Sequence, residues 1–187
     1  MLAVAHLTLM SLQYGRLRFA AATAMQAIEW LEENSDIAPP PIVGAVFGVL
    51  GWVHYEWNEV ETARVYFQRG IKLGEFSGHN ASVIYTKVGL ARLLQAEGDL
   101  DAALRTIIEA VELLQSGAPA WVRPGLIFRQ VSLLLAANNR AEAQTVLRQS
   151  GVSSDDQVHH QSDEIHLAYV RMFLNQGQEE MLKQGIA

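Results

Sequence analysis

Residues 50–78 read LGWVHYEWNEVETARVYFQRGIKLGEFSG, and this stretch predicts two antiparallel helices joined by a tight turn. The second helix carries apolar residues at spacings of three and four, which give a helix one apolar face: Val60, Ala63, Phe67 and Ile71. Asn58 stands three residues before Glu61, the spacing of a capping box at a helix start. The stretch therefore predicts a helical hairpin.

The hairpin pattern recurs along the chain. The small residue of the second helix is repeated at gaps of 43, 40 and 40 residues, as Ala20, Ala63, Ala103 and Ala143. Twelve residues earlier, where the two helices of a hairpin would cross, stand Thr8, Gly51, Ala91 and Val131. Four and seven residues after the small residue stand Ala24, Phe67, Ile107 and Leu147, and Ala27, Gly70, Ala110 and Ser150. A period near 40 is typical of a solenoid. We predict an all-α, right-handed superhelical solenoid of antiparallel helix hairpins.

The repeat boundaries follow from the turns and links. Each hairpin has a predicted turn rich in Gly, Asn or Asp, at residues 14–16, 57–59, 97–99 and 138–140. The predicted repeats of this single domain, 1–187, span approximately 1–34, 41–77, 80–116, 124–151 and 162–187. The last is incomplete, with a turn at Gly177 and a short second helix over 178–184. Neither terminus carries the polar cap that ends a stacked array, so we interpret the chain as part of a longer protein.

Composition limits the function classes. The 187 residues are 50% hydrophobic and 18% charged, without cysteine, which excludes disulfides and thiolate metal sites and is consistent with a cytoplasmic protein. A net charge of −6 with no basic cluster argues against direct nucleic-acid binding. Residues 37–55 lack Asp, Glu, Lys and Arg, but their prolines and glycines favour a buried helix over a membrane span. The amino terminus lacks the basic region of a signal peptide.

The repeat units resemble tetratricopeptide repeats. The small, turn and alanine positions of that family are matched by Gly51, Asn58 and Ala63, by Ala91, Gly98 and Ala103, and by Val131, Asn138 and Ala143. The period of about 40 exceeds the family's 34 residues, and the usual proline at the end of each unit is missing. The phrases GWVHYEWNEVETA, GLARLLQAEGDLDAAL and HLAYVRMFLNQGQ look like the superhelical sensor region of MalT-type, LuxR-family, ATP-dependent transcription activators. This resemblance implies a nucleotide-binding switch before the repeats and a helix-turn-helix domain after them, neither of which this chain contains.

Catalytic and metal-binding motifs are missing from the sequence. No phosphate-binding loop, nucleophile elbow or helical zinc motif occurs, so we predict neither an enzyme nor a cofactor. The histidines and aspartates near the carboxyl end lack the spacing of a ligand motif and are predicted to form a solvated loop, not a metal site: Asp155, Asp156, His159, His160, Asp163 and His166. His54, beside Tyr55, is predicted to be a hydrogen-bonded structural histidine.

The first helices of the hairpins are expected to line the concave side of the solenoid. Residues at equivalent positions then form columns across neighbouring helices, which lie about 8–10 Å apart. These columns predict a binding groove that contains Trp52, Tyr55, Glu56, Tyr85, Arg92, Gln95, Arg129 and Arg171. Aromatic faces beside guanidinium groups suit a sugar, a nucleotide or an acidic peptide. In the alternative interpretation, Trp52 and Tyr55 only fill space between repeats, and the arginines are solvated or paired with Glu56 and Glu97.

Two binding functions fit the sequence best, and a third, weaker hypothesis is an enzyme that uses the histidine-rich loop, which a metal analysis of the purified protein would distinguish. The first is a sensor segment of a MalT-type regulator, which receives a small-molecule inducer or a regulatory protein and biases a switch elsewhere in the full chain. The second is a scaffold module that holds a peptide or associates with a sister subunit. The first hypothesis requires a parent chain with a nucleotide-binding domain and a helix-turn-helix domain, whereas the second does not.

Overall fold

A computed structural model describes residues 2–34, 36, 38–159 and 162–183. Within these ranges the chain forms nine α-helices, one short 3-10 helix and no strand. The helices are α1 (Leu2–Gln13), α2 (Leu17–Glu33), α3 (Val43–Glu56), α4 (Val60–Phe76), α5 (Asn80–Ala96), α6 (Leu100–Gln115), α7 (Arg123–Ala136), α8 (Arg140–Gln149) and α9 (Asp163–Lys183), and the 3-10 helix is Ala120–Val122. The predicted all-α solenoid of helix hairpins is confirmed.

The contacts between helices place the first helix of each hairpin on the inner side. The helices α1, α3, α5, α7 and α9 each contact the next member of this series. In contrast, α2, α4, α6 and α8 contact only the helices before and after them in sequence, within the described residues. Because the first helices lie closer to one another than the second helices do, the stack curves with the first helices on its concave face.

All four turns inside the hairpins have one backbone geometry. A residue with positive φ stands five positions before each small residue of the second helix: Gly15 (φ 70°), Asn58 (62°), Gly98 (88°) and Asn138 (57°). The N–H of the next residue donates to the carbonyl five residues earlier in every case, as from Glu59 to His54 at 2.8 Å. This pairing satisfies a carbonyl that the helix end would leave open, as in a Schellman motif. The turn therefore fixes how each hairpin closes.

The left-handed turn residues correct two predictions. The prediction of a capping box at Asn58 is wrong, because Asn58 adopts φ 62° and ends α3. The residue that precedes α4 is Glu59, and its side chain makes no capping hydrogen bond. The fourth turn was predicted at residues 138–140 but lies one residue earlier, since Arg140 already belongs to α8. There Asn138 takes the left-handed conformation, and Oδ1 of Asn139 accepts from the Glu142 amide at 3.3 Å.

The predicted turn at Gly177 is also wrong, because α9 runs without a break from Asp163 to Lys183. Gly177 does not belong to the glycines with positive φ in the described residues. A chain reversal is favourable only when the second helix can bury an apolar face, and residues 178–184 are mostly polar. A continuous helix satisfies the backbone hydrogen-bonding groups of these residues and does not require them to bury an apolar face. Gln184, the predicted end of the second helix, lies outside the described residues.

The predicted core positions are buried in the first four repeats. The four alanines at the small position, Ala20, Ala63, Ala103 and Ala143, have no exposed surface. The columns twelve residues before, four after and seven after them are buried as well. The uncharged stretch before Glu56 forms α3, a largely buried helix as predicted. No helix in the described ranges combines the length and the apolar character that a membrane crossing needs.

Ala103→Leu is expected to lower the free energy of unfolding by about 1–3 kcal/mol, because Leu overpacks a position where two helices touch. Chemical denaturation of the purified chain measures this change. The matched control is Ala141→Leu, at an exposed position of α8. Equal losses in the Ala103 and Ala141 variants would contradict the packing register.

Candidate functional site

The residues of the predicted groove lie on the four consecutive inner helices α3, α5, α7 and α9. Three come from the end of α3, three from α5, and one each from α7 and α9: Trp52, Tyr55 and Glu56, then Tyr85, Arg92 and Gln95, then Arg129, then Arg171. We call these eight residues the concave cluster. Their contacts decide which of them form one continuous surface.

Trp52 is the centre of the aromatic part of the cluster. Its ring meets Tyr55 edge-on at 6.2 Å between centroids and meets Phe67 edge-on at 5.8 Å. The Tyr85 ring lies 6.4 Å away. Trp52 is only half-buried, yet its Nε1 is enclosed and has no hydrogen-bond partner among the described residues. Trp52 therefore joins the second and third repeats by packing, and it still has surface on the concave face.

Arg92 lies across this aromatic group. Its guanidinium carbon is 5.0 Å from the ring centroid of Tyr55 and 5.6 Å from that of Trp52, within the range of cation–π attraction. Its Nη1 is 3.6 Å from Oε1 of Glu56, a loose ion pair between two half-exposed side chains. Glu97, considered above as a partner for the arginines, pairs instead with Arg64. Arg92 is thus held mainly by ring faces.

A pocket of about 420 Å³ opens beside Arg92 where the second and third hairpins meet. Its walls come from the end of α3, the following turn and the end of α5, and they include Tyr55, Glu56, Arg92 and Glu97. The walls combine an aromatic face with charged groups of both signs. Such a mixed lining can bind a polar molecule and fix its orientation.

Arg129 is the deepest cation of the cluster. It is only 8% exposed, and its Nη1 donates to Oε1 of Gln95 at 3.1 Å. Its Nε is enclosed and has no hydrogen-bond partner in the described part of the chain. Burial, followed by the positive charges of Arg92 and Arg171, lowers the pKa of Arg129 to about 10, against a smaller opposing effect of Tyr55 and Glu164. Arg129 therefore remains a cation at neutral pH.

Arg171 reaches the same region from α9. Its guanidinium carbon lies 5.1 Å from the ring centroid of Phe128, and that of Arg129 lies 6.0 Å from the same ring. Phe128 thus lies within cation–π range of two guanidinium groups that come from neighbouring inner helices. The columns used in the sequence analysis did not include Phe128, although its position three residues before Val131 belongs to the same inner helix.

Tyr85 continues the aromatic surface toward the start of α7. Burial raises the pKa of its hydroxyl, so the group stays neutral. Its ring lies 6.5 Å from the ring of Trp121, which belongs to the 3-10 helix and is exposed over about half of its surface. Trp121 is a second residue that the sequence analysis missed. Its signal in the sequence was a tryptophan in the link between Pro119 and Pro124.

Among the described residues, the histidines and aspartates near the carboxyl end do not gather around one point. Nδ1 of His166 is 2.8 Å from the carbonyl of Ser162, and its Nε2 is 3.1 Å from the carbonyl of Asp156. Both ring nitrogens thus face the backbone of the preceding loop. The prediction of a solvated loop is wrong for Asp163 and His166, because both lie on α9 and His166 is buried. Within the described ranges no group of three such side chains is placed to hold a metal ion, and His160 lies outside them.

His54 has the structural role predicted for it. Its Nδ1 is 2.6 Å from Oε2 of Glu59, across the turn that joins α3 and α4. Its ring stacks on Tyr66 at 5.1 Å with an interplanar angle of 14°. These contacts tie the two helices of the second hairpin together.

Comparison with known proteins relates the whole chain to helical repeats. A family model described as "MalT-like TPR region", where TPR denotes the tetratricopeptide repeat, matches residues 1–184. Among solved structures, a Podosopora anserina kinesin light chain with nearly identical TPR-like repeats is similar at a TM-score of 0.65 and 16% identity, over 97% of this chain and 91% of that one. A single-substitution variant of that protein gives the same values. At this identity the likeness concerns the fold alone. Comparison with curated proteins finds no match.

Proposed function

Because the chain belongs to the family of MalT-like TPR regions, we propose that it is the sensing segment of a MalT-type, LuxR-family transcription regulator. In this proposal the concave face binds a small-molecule inducer or a regulatory protein. Binding then biases a nucleotide-dependent switch that lies in another part of the regulator. The segment itself binds no DNA, carries no cofactor and acts in the cytoplasm.

The observation that carries this proposal is the placement of Arg92 over two aromatic rings beside an open pocket. The rings of Trp52 and Tyr55 hold the guanidinium in place, so little side-chain freedom remains to be lost on binding. Glu56 is its only carboxylate partner within the described residues, at 3.6 Å. The aromatic faces and the polar groups can therefore act together on one ligand.

The second candidate function is a scaffold that binds another protein or a second copy of the chain. It is favoured by an exposed apolar stripe on α9, formed at spacings of three and four by Leu167, Val170 and Leu174. Helices with such a stripe usually bury it against another helix. The two candidates differ in the parent gene, because only a regulator encodes a nucleotide-binding domain and a helix-turn-helix domain together with these repeats.

Arg92→Ala is expected to weaken ligand binding by about 1–3 kcal/mol, since a hydrogen bond from a charged donor contributes that much. The melting temperature should change little because Arg92 is half-exposed and its ion pair is loose. A thermal-shift screen of neutral and anionic metabolites and of candidate peptides, run on the wild-type and variant chains, measures the difference.

Arg105→Ala is the matched control, because this arginine is exposed on the outer helix α6. It should leave every ligand-induced shift unchanged. Ligands that shift the wild-type, Arg92→Ala and Arg105→Ala chains equally would show that the concave cluster is structural and that sensing, if present, uses another surface.

A further inference from the structure

We propose that the concave face contains an oxyanion site, in which Arg129 and Arg171 hold a carboxylate or phosphate group of the sensed ligand. This inference rests on the proposed function and specifies the chemistry of its ligand. It concerns the part of the concave cluster formed by α7 and α9, on the far side of Arg92 from the aromatic pair of α3.

The first support is the incomplete hydrogen bonding of Arg129. A guanidinium carries five N–H donors in one plane, and the described residues provide a single acceptor, Oε1 of Gln95. Nε is enclosed and has no hydrogen-bond partner among the described residues, and the side chain is more than nine-tenths buried. A buried cation in this state is destabilising unless another group supplies the missing interactions. An oxyanion has the acceptors that this guanidinium lacks.

The second support is the balance of charge around Arg129. The ionised groups that act on Arg129 from the packed inner helices are Arg92 on α5 and Glu164 and Arg171 on α9. Glu56 on α3 pairs loosely with Arg92. Arg92 and Arg171 both act against the protonated form of Arg129, and Glu164 has the smallest opposing effect. Three guanidinium groups therefore face two carboxylates, one of which lies 3.6 Å from Arg92. The cluster retains positive charge in a chain whose net charge is −6.

The third support is the arrangement of Arg129 and Arg171 around Phe128. Each guanidinium carbon lies within about 6 Å of this ring centroid, at 6.0 and 5.1 Å, so both are in the range of cation–π attraction. The ring limits how far either cation can turn away. Arginine forks bind carboxylates and phosphates through pairs of parallel hydrogen bonds, which a lysine cannot form. Two forks held at one ring thus suit a single oxyanion group.

The test uses the intact chain and simple oxyanions as probes. We expect sodium phosphate or sodium citrate to raise the melting temperature beyond sodium chloride of equal ionic strength, and by a larger margin in the wild type than in Arg171→Met, since exclusion of these anions from the protein surface stabilises both chains alike. Isothermal titration with citrate should then give a dissociation constant that increases about tenfold in Arg171→Met and in Arg129→Lys, as expected for the loss of one charge-assisted arginine contact. Arg171 is exposed, so its variant tests the site without removing a buried side chain. Arg105→Met, on the outer helix, should bind citrate as the wild type does.

A second arm identifies where the oxyanion comes from. If a hexaglutamate peptide, phosphate and citrate all bind in an Arg171-dependent manner, the oxyanion site stands and its ligand can be a metabolite or an acidic segment of a protein. If only the peptide binds, the oxyanion site stands and its source is a protein side chain. If none of these probes stabilises the wild type beyond chloride, or if all of them bind the two variants normally, the oxyanion site is wrong.

These experiments distinguish failure of the oxyanion site from failure of the proposed sensing function. A neutral ligand that is lost in Arg92→Ala but binds normally to Arg171→Met and Arg129→Lys would refute the oxyanion site and leave the proposed sensing function intact. Citrate binding that depends on Arg171, in a chain whose parent gene lacks switch and DNA-binding domains, would support the oxyanion site and refute the proposed sensing function.

Discussion

Phe67→Ala is expected to lower the free energy of unfolding by about 3–5 kcal/mol, the usual cost of removing a fully buried aromatic ring from a core. Phe67 has no exposed surface and lies on α4, the outer helix of the second hairpin. Its ring contacts the edge of Trp52 and fills the space between two inner helices. Urea denaturation followed by tryptophan fluorescence measures the loss.

Two glycines lie against the Phe67 ring and allow a second test of its packing. A Cβ added at Gly51 on α3 or at Gly89 on α5 would lie closer than 3.0 Å to ring atoms of Phe67. Gly89→Ala should therefore destabilise the wild-type chain through overpacking. In the Phe67→Ala background the same change should stabilise it, because the methyl group enters the cavity and alanine favours the helix. Additive effects in this double-mutant cycle would contradict the described packing.

Gly44→Ala is expected to lower the free energy of unfolding by about 3 kcal/mol, at the upper end of overpacking effects. A Cβ at this position of α3 would lie 2.7 Å from the carbonyl oxygen of Gly70 and 3.0 Å from the amide nitrogen of Gly74, both on α4. These are backbone atoms, so no side chain can rotate away. Relief would require the two helices of the hairpin to move apart along their contact. Urea denaturation measures the loss.

Gly177→Ala is the matched control for Gly44→Ala. Gly177 also lies inside a helix, but a Cβ there meets nothing within 4 Å. The change should leave stability unchanged or raise it by up to about 1 kcal/mol through helix propensity. If Gly44→Ala were as harmless as this control, the close approach of α3 and α4 would be refuted.

The repeat architecture could be predicted from the sequence because it depends on local chemistry that recurs. Small residues at Ala20, Ala63, Ala103 and Ala143 mark where helices cross, and every one of these positions is fully buried. Five residues earlier, Gly or Asn can take the left-handed conformation that closes a helix. Both signals are short-range, so a pattern of period near 40 sufficed to set the fold class.

The errors in the fold arose where one residue type has two local uses. Asn58 can cap the helix that follows it or end the helix before it, and the left-handed φ of 62° shows the second use. Gly177 stands where earlier repeats turn, but α9 continues through it. Glycine permits a turn without requiring one, and the choice depends on whether a following helix has an apolar face to bury.

For the candidate site, the sequence by itself determined that the eight residues of the concave cluster lie on the inner helices, because that follows from the helical period and the order of the repeats. Only the tertiary structure decided how they meet: Glu97 pairs with Arg64 and not with Arg92, the Phe128 ring lies near the guanidinium groups of both Arg129 and Arg171, and Arg129 is buried with one hydrogen bond from its guanidinium within the described residues. Periodicity fixes the direction of a side chain from its helix. Burial, charge pairing and pKa depend on distances between different helices, which arise only when the hairpins stack.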